Sequence, residues 1–190
     1  MRDLNIKLRM EYSLLGLRDK LGFPFKPEKE LKKLNLEKGE KILDYGGGIG
    51  SYTFPAASLV GEEGKVYAVD KQSSAIKRVK EKARMEGINN IATILSDGDT
   101  GLPDKSVGVI LLYGVLPEIK DRESLLKELY RVLKPNGYLS TRSCFRMKKD
   151  KVLEIMQATG LFSLREQKGH ILNFEKSKID AACITEGLLT

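Results

Sequence analysis

The chain has 190 residues and a formal net charge of +7, and its hydrophobic share of 41% and charged share of 31% are typical of one globular domain. No apolar stretch approaches the roughly 20 residues that cross a bilayer, and the amino end lacks the apolar core of a signal peptide. Two cysteines and a single histidine, His170, exclude a disulfide framework, a histidine-rich metal site and Ser-His-Asp catalysis. We therefore expect a cytoplasmic protein with no membrane span and no metal site.

Strands alternate with helices along most of the chain. Apolar residues at helical spacing predict a helix in residues 1–22, and residues 1–25 are expected to form a helical extension on the substrate side. Pro27 is expected to begin a second helix that ends at Leu36. The predicted strands that follow are residues 41–44, 65–70, 90–96, 107–113 and 138–143. The predicted helices between them are residues 51–59, 73–86 and 122–133.

After residue 143 the alternation changes. A helix is predicted at 150–159, followed by two strands, 162–167 and 171–175, that a short turn containing His170 joins. A hairpin is antiparallel by construction, so one strand must run against the others. The sequence therefore predicts an α/β fold: a doubly wound, mostly parallel seven-stranded sheet with a C-terminal antiparallel hairpin strand and helices on both faces. This domain is expected to cover residues 26–176, with residues 177–190 as a tail.

A glycine-rich loop follows the first predicted strand. Its pattern is Asp-x-Gly-x-Gly-x-Gly, from Asp44 to Gly50. Glycines let the backbone turn sharply and approach a ligand, and the N–H groups that open the next helix face the ligand's anionic part. The dinucleotide pattern Gly-x-Gly-x-x-Gly does not fit, because Ser51 or Thr53 would occupy its third position. An acidic residue two places before the first glycine instead suits a ligand with a cationic ammonium.

Three further residues stand where later strands end. Asp70 lies twenty residues beyond Gly50 and could accept two hydrogen bonds from a ribose diol. Asp97 follows the third strand and could accept a hydrogen bond from an exocyclic amine such as that of adenine. Tyr113 ends the fourth strand and would provide an aromatic side chain to cover a ligand.

Asp44, Asp70 and Asp97, at three successive strand ends around one glycine loop, resemble the pattern of class I (Rossmann-like) S-adenosylmethionine-dependent methyltransferases. The similarity covers about residues 26–176, most of the chain, and is closest to the small-molecule branch that includes ubiquinone/menaquinone and arsenite methyltransferases. Segments 96–110 and 125–139 resemble that branch's junctions before the fourth and fifth strands. The resemblance implies S-adenosylmethionine as the cofactor and a cofactor site made of Asp44, Gly46, Gly47, Gly48, Gly50, Asp70, Lys71, Asp97, Gly98 and Tyr113.

The resemblance also implies a role for each part of that site. The loop glycines would pack against the methionine moiety, and Asp44 would organise the loop and the ammonium side. Asp70 would hold the ribose hydroxyls, and Asp97, with the backbone of Gly98, would face the adenine. The family usually has a small residue or cysteine where this chain has Gly47, and the extra glycine is expected to make the loop more permissive.

A sulfonium already makes its methyl group electrophilic, so the protein's main work would be in-line positioning and exclusion of water. No catalytic residue is assigned; Tyr113 and Glu118 are the candidates for a general base, and each more often serves as a pocket wall. Two cysteines are too few for arsenite methylation, and segment 113–118 lacks the Asn/Asp-Pro-Pro-aromatic signature of many amino-methylating enzymes.

Three functions stay open. The first is a methyltransferase for a small molecule, with an anionic acceptor among the alternatives and a homodimer as one way to complete the pocket. The second is an RNA or protein methyltransferase that uses the basic rim, residues 142–151. The third is a non-catalytic domain that binds S-adenosylmethionine. Absence of S-adenosylmethionine binding at submillimolar cofactor in calorimetry would exclude the two enzyme functions.

Overall fold

Seven strands form one sheet in the computed structural model, which describes residues 26–144 and 146–177. They are β1 (Lys41–Tyr45), β2 (Lys65–Asp70), β3 (Ile91–Leu95), β4 (Val107–Leu112), β5 (Leu133–Arg142), β6 (Phe162–Lys168) and β7 (Ile171–Lys176). Their order across the sheet is β3-β2-β1-β4-β5-β7-β6. The first five strands are parallel, and β7 lies antiparallel between β5 and β6. The predicted sheet with its reversed hairpin strand is confirmed.

Five α-helices accompany the sheet in the described residues. They are α1 (Pro27–Leu31), α2 (Thr53–Val60), α3 (Ser73–Met85), α4 (Arg122–Val132) and α5 (Lys149–Ala158). Pro27 begins α1 as predicted, but a short 3₁₀ turn, Lys32–Leu34, ends this segment before Leu36 because Asn35 adopts a left-handed conformation (φ 53°). None of the helices in the described part of the chain is long and apolar enough to cross a membrane. The predicted extension 1–25 and the tail beyond residue 177 lie outside the described residues.

Apolar side chains cover both faces of the sheet. Alternate residues of the central strand β4 point to opposite sides, and every one of them is buried. Ile110 belongs to a core cluster that includes Leu126 of α4 and Ile155 of α5, whereas Val109 belongs to a second cluster with Leu31 of α1. Burial on both faces explains why the parallel strands read as continuous apolar runs in the sequence.

Strand β5 begins earlier than the sequence predicts. Leu133 already pairs with Val107 of β4, and after an irregularity in register Tyr138 pairs with Val109. Gly137, which falls between the predicted helix 122–133 and the predicted strand 138–143, therefore lies inside the strand. A Cβ atom on Gly137 would approach the carbonyl oxygen of Gly108 to 2.5 Å, so the two backbones come too close for any larger residue.

The connection between β3 and β4 is fastened to α4 by Glu128. One Glu128 oxygen accepts hydrogen bonds from the backbone N–H and the hydroxyl of Thr100, at 2.9 and 2.6 Å. Arg131 donates to both Glu128 oxygens and to Asp104. Burial alone would raise the pKa of Glu128, but the hydrogen bonds from Arg131 and Thr100 lower it below its usual value. The loop next to Asp97 is thus held by a helix on one face of the sheet.

Candidate active site

The carboxyl ends of the parallel strands meet along one edge of the sheet. We call it the ligand edge and define it by residues 44–50, 70–71, 96–98, 113–118 and 142–144, which follow or end β1 to β5. The strand order reverses between β1 and β4, which is where doubly wound sheets bind ligands. Asp44 and Asp70 interact electrostatically there, so the two predicted carboxylates are brought together.

The glycine loop is tied to the neighbouring strand β2. The N–H groups of Gly46 and Gly47 both donate to the carbonyl oxygen of Val69, at 2.7 and 3.1 Å. The N–H of Gly48 donates to Asp70 Oδ2 at 2.9 Å, while Asp70 Oδ1 accepts from the N–H of Gln72 at 2.8 Å. Asp70 is only partly buried, and each carboxylate oxygen has a second lone pair, so it can still accept hydrogen bonds from a ligand.

Close packing surrounds the glycine loop. Gly46 has a φ of +73°, and a Cβ atom there would lie 2.7 Å from Cγ2 of Val115, which follows β4. A Cβ atom on Gly47 would lie 2.9 Å from Asp44 Oδ2 and would have to displace that carboxylate. Gly47 therefore leaves room for the Asp44 carboxylate, and the expectation that it makes the loop more permissive stays a prediction. The loop thus forms a cradle without side chains, which a side chain at Gly46 or Gly47 would fill.

Asp44 lies beneath the loop and is 2% exposed. Its Oδ2 accepts a hydrogen bond from Thr53 Oγ1, in the first turn of α2, at 2.6 Å. Burial raises the pKa of Asp44 to about 6, the bond from Thr53 opposes that rise, and the charge of Asp70 adds to it. Sequence reasoning did not single out Thr53 for this role, although a hydroxyl in the first turn of a helix behind a glycine loop was a usable signal.

The third predicted carboxylate lies at the outer end of the ligand edge. Asp97 has a side chain that is 70% exposed, and its Oδ1 is 3.9 Å from Nζ of Lys71, itself half-exposed. On either side of Asp97, Ser96 and Gly98 are bonded to each other: Ser96 Oγ accepts a hydrogen bond from the N–H of Gly98 at 3.2 Å. This end of the edge is open and polar, unlike the buried end at Asp44.

Tyr113 lies in the core instead of in the open edge. It is 8% exposed, its hydroxyl shares a hydrogen bond of 2.7 Å with Ser140 Oγ, and its ring packs edge-on against Tyr52. Burial raises the pKa of its phenol well above the usual value. This burial argues against Tyr113 as a general base, and that hypothesis stays a prediction. Its role in covering a ligand stays a prediction.

Glu118, the other candidate base, ends a 3₁₀ turn after β4. Its Oε1 accepts a hydrogen bond from NH1 of Arg146 at 3.0 Å, and both side chains are nearly half exposed. Other cations of the basic rim are paired as well: Lys151 with Glu154, and Arg142 with Glu30. The rim therefore carries less uncompensated positive charge than its sequence suggests.

One cluster at the ligand edge was missed altogether. NH1 of Arg142, at the end of β5, donates to Glu30 Oε2 of α1 at 3.2 Å and to the hydroxyl of Tyr52 at 3.1 Å, and that hydroxyl donates to Glu30 Oε2. Arg142 is 112 positions from Glu30 and 90 from Tyr52, so no local pattern could have joined them.

These features fit S-adenosylmethionine. A cradle without side chains, a buried carboxylate at one end and open carboxylates at the other match an adenosine that carries a zwitterionic amino acid. The residues that would hold it are Asp44, the loop glycines, Asp70, Asp97 and Gly98.

Comparison with curated proteins gives quinone-pathway enzymes. The chain is 32% identical over 108 residues to demethylmenaquinone methyltransferase of Geobacillus stearothermophilus, which covers 56% of the chain and 46% of that protein. It is 36% identical over 106 residues to the ubiquinone/menaquinone biosynthesis C-methyltransferase of Cronobacter sakazakii, with 55% and 42% covered. The chain thus spans less than half the length of these relatives.

Solved structures show the same fold. A SAM-dependent methyltransferase from Aquifex aeolicus has a TM-score of 0.70 and 29% identity, covering 79% of this chain and 88% of that one. A TehB-like SAM-dependent methyltransferase from Corynebacterium glutamicum also has a TM-score of 0.70, at 18% identity, over 91% of this chain and all of the other, which shows the fold alone.

A match over a longer part of the chain identifies the family. Residues 36–179 match the methyltransferase domain family, which is most of the chain. This match and the likeness to the Aquifex structure confirm the predicted class and S-adenosylmethionine as its cofactor. The chain belongs to the methyltransferase domain family, with the Rossmann-like fold of the S-adenosylmethionine-dependent enzymes.

Proposed function

We propose that this chain transfers the methyl group of S-adenosylmethionine to a small-molecule acceptor. The observation that carries the proposal is the pair of carboxylates that hold the glycine loop: Asp70 accepts from the N–H of Gly48, and Asp44 lies buried beneath the loop. The quinone-pathway names of the relatives support an acceptor of small size.

Each residue of the site has a distinct part in holding the cofactor. Asp70 accepts hydrogen bonds from the ribose hydroxyls, for which its second lone pairs are suited. Asp97 and the backbone of Gly98 take the adenine at the open end of the edge. Asp44 faces the methionine ammonium, and a cation there offsets the cost of keeping the carboxylate ionised in a buried place.

The bound cofactor supplies a methyl group that its sulfonium has already made electrophilic. The chain's residues bind, orient and exclude water, so that an acceptor atom can approach in line with the bond that breaks. The acceptor side of the edge is formed by the segments after β4 and β5. Glu118 is the candidate to take a proton from the acceptor, since its partly exposed carboxylate lies at that side.

RNA is not the acceptor that we propose. Arg142, Arg146 and Lys151 of the basic rim are each paired with a glutamate, and a paired cation gains less from a phosphate. A non-catalytic role is not proposed either, because the chain belongs to the methyltransferase domain family and the relatives it resembles are methyltransferases.

A transfer assay tests the proposal. The protein is incubated with cofactor labelled on the methyl group and with separate small-molecule, RNA and protein fractions of a cell extract. We expect label in the small-molecule fraction, reduced at least about tenfold by Asp70→Ala. Label in RNA or protein alone would contradict the acceptor class, and label nowhere despite cofactor binding would contradict enzyme activity.

A further inference from the structure

Arg142 and Tyr52 form a carboxylate-binding pair at the ligand edge. NH1 of Arg142 and the hydroxyl of Tyr52 both donate to the same oxygen of Glu30. Arginine with a neighbouring hydroxyl is a strong arrangement for a carboxylate, because a charged donor and a second donor act together. Glu30 thus shows, within the chain itself, which kind of group these two donors hold.

The pair is built into the fold instead of lying loose on the surface. Tyr52 is 8% exposed and packs its ring edge-on against Tyr113 at a centroid distance of 4.6 Å. Arg142 has a side chain that is 20% exposed, and that of Glu30 is 27% exposed. Packing therefore fixes the two donors, while solvent still reaches the guanidinium of Arg142 and the carboxylate of Glu30 that is bonded to it.

Both donors keep their hydrogens at every ordinary pH. Burial raises the pKa of Tyr52 above its usual value, so the phenol remains a donor. Burial alone would lower the pKa of Arg142, but the neighbouring Tyr52 and Glu30 raise it, so the guanidinium remains charged.

The position of the pair indicates which carboxylate a ligand would bring. Tyr52 lies two residues after Gly50, directly before the first turn of α2, whose Thr53 holds Asp44. The amino and carboxyl groups of the cofactor's methionine moiety are attached to one carbon atom, so they must bind side by side. If Asp44 faces the ammonium, the site of Tyr52 and Arg142 is suited to the carboxylate, because Tyr52 directly precedes Thr53, which bonds Asp44. The amino end of α2 adds a favourable dipole.

We propose that Arg142 and Tyr52 bind the methionine carboxylate of the cofactor, and that Glu30 occupies their donors until the cofactor replaces it. This inference rests on the proposed function, because it assumes that S-adenosylmethionine binds at the glycine loop. It adds a specificity determinant: the site distinguishes the intact amino acid from a cofactor fragment that lacks the carboxylate.

Calorimetry with a matched pair of ligands tests the inference. S-adenosylhomocysteine has the carboxylate, and its decarboxylated form keeps the ammonium, sulfur and adenosine. The wild-type protein should bind S-adenosylhomocysteine at least about tenfold more tightly, as a charge-assisted bond requires. Arg142→Gln should abolish that preference, weakening S-adenosylhomocysteine by about tenfold and the decarboxylated form by less than about twofold.

Two variants serve as controls. Arg146→Gln removes the same charge from the same rim, beside Glu118, and should leave the preference intact. Tyr52→Phe keeps the ring that packs against Tyr113 and should reduce the preference severalfold, which provides a reading if Arg142→Gln fails to fold.

Glu30→Gln tests the exchange. It removes the competing charge, so S-adenosylhomocysteine should bind more tightly while the decarboxylated form is unchanged. A loss of affinity for S-adenosylhomocysteine would contradict the exchange.

The remaining outcomes are also decisive. Equal affinity of the wild-type protein for the two ligands, or an unchanged preference in Arg142→Gln, would overturn the inference and leave the proposed function standing. Absence of binding to both ligands would instead overturn the proposed function itself.

Discussion

The hydroxyl of Thr53 donates to the buried carboxylate of Asp44 across 2.6 Å, beneath the loop that would hold the cofactor. Asp44 is 2% exposed, and Thr53 is the only hydrogen-bond donor to its carboxylate in the described residues. A buried carboxylate with one neutral donor is costly to ionise. The ionised carboxylate of Asp44 therefore destabilises the fold unless a cation binds next to it.

Asp44→Asn should stabilise the cofactor-free protein at pH 8. The pKa of Asp44 is about 6 in the fold against an unfolded value of 3.8, so the folded state binds the proton more tightly and stability falls as pH rises through 6. A shift of about two units is worth up to about 3 kcal/mol. Urea unfolding at pH 8 should show a gain in the variant, and the gain should shrink towards pH 4. Lower stability of the variant at pH 8 would contradict this cost.

Cofactor affinity should depend on the proton of Asp44. Since an ammonium binds the ionised carboxylate, affinity for S-adenosylmethionine should fall as pH drops below about 6, the value to which burial raises the pKa of Asp44. Thr53→Val removes the bond that lowers this pKa, so the midpoint should move to higher pH, whereas Thr53→Ser should keep it. Calorimetric titrations from pH 5 to pH 8 measure the midpoint directly. A flat profile would exclude Asp44 from the ammonium site, and a midpoint that is the same in all three proteins would contradict the effect of the Thr53 bond.

Gly46→Ala should impair cofactor binding through two separate effects. Its Cβ atom would lie 2.7 Å from Val115, and a φ of +73° is unfavourable for alanine by about 1–3 kcal/mol. The double variant with Val115→Gly removes both the Cγ2 and the Cβ atoms that a Cβ on Gly46 would meet, at 2.7 and 2.8 Å, and leaves the backbone strain, so it should recover part of the affinity and part of the thermal stability. Full recovery would mean that the left-handed conformation is unimportant, and no recovery would mean that Val115 is not the obstacle.

Glu128→Ala should destabilise the fold by about 1–3 kcal/mol, because the buried Thr100 loses its partner and Arg131 loses the carboxylate to which it donates two hydrogen bonds. Glu123→Ala is the matched control on the same helix: its pair with Lys127 is exposed, and such pairs contribute little. Denaturant unfolding of both variants makes the comparison. A similar loss in both would show that Glu128 does no more than an exposed ion pair.

The sequence predicted the sheet because parallel strands buried on two faces read as short apolar runs between glycine and proline stops. It predicted Asp44 and Asp70 because both stand at strand ends, where the topology must bring them to one edge. It did not predict that the side chain of Tyr113 points into the core. Val109, Leu111 and Tyr113 lie at alternate positions, so their side chains point to the same face of the sheet and belong to one core cluster. Strand periodicity therefore places the Tyr113 side chain in the core, although its residue type suits the wall of a ligand site.

Contacts between distant segments were beyond a single sequence. Arg142 of β5 and Glu30 of α1 are 112 residues apart in the chain, and only the folded structure brings them into contact. The early start of β5 depends on a close approach of Gly137 to Gly108, which is a property of the assembled sheet. Local propensity contains neither kind of information.

The central claim is that the ligand edge binds S-adenosylmethionine through the glycine loop and Asp70, and calorimetric titration of the wild-type protein and Asp70→Ala tests it most directly. The variant would lose both the hydrogen bonds to the ribose and the hydrogen bond that Asp70 accepts from the N–H of Gly48. We expect one saturable site in the wild-type protein and at least about tenfold weaker binding in a variant that remains folded. Absence of saturable binding at submillimolar cofactor, or equal affinity in the folded variant, would contradict the claim.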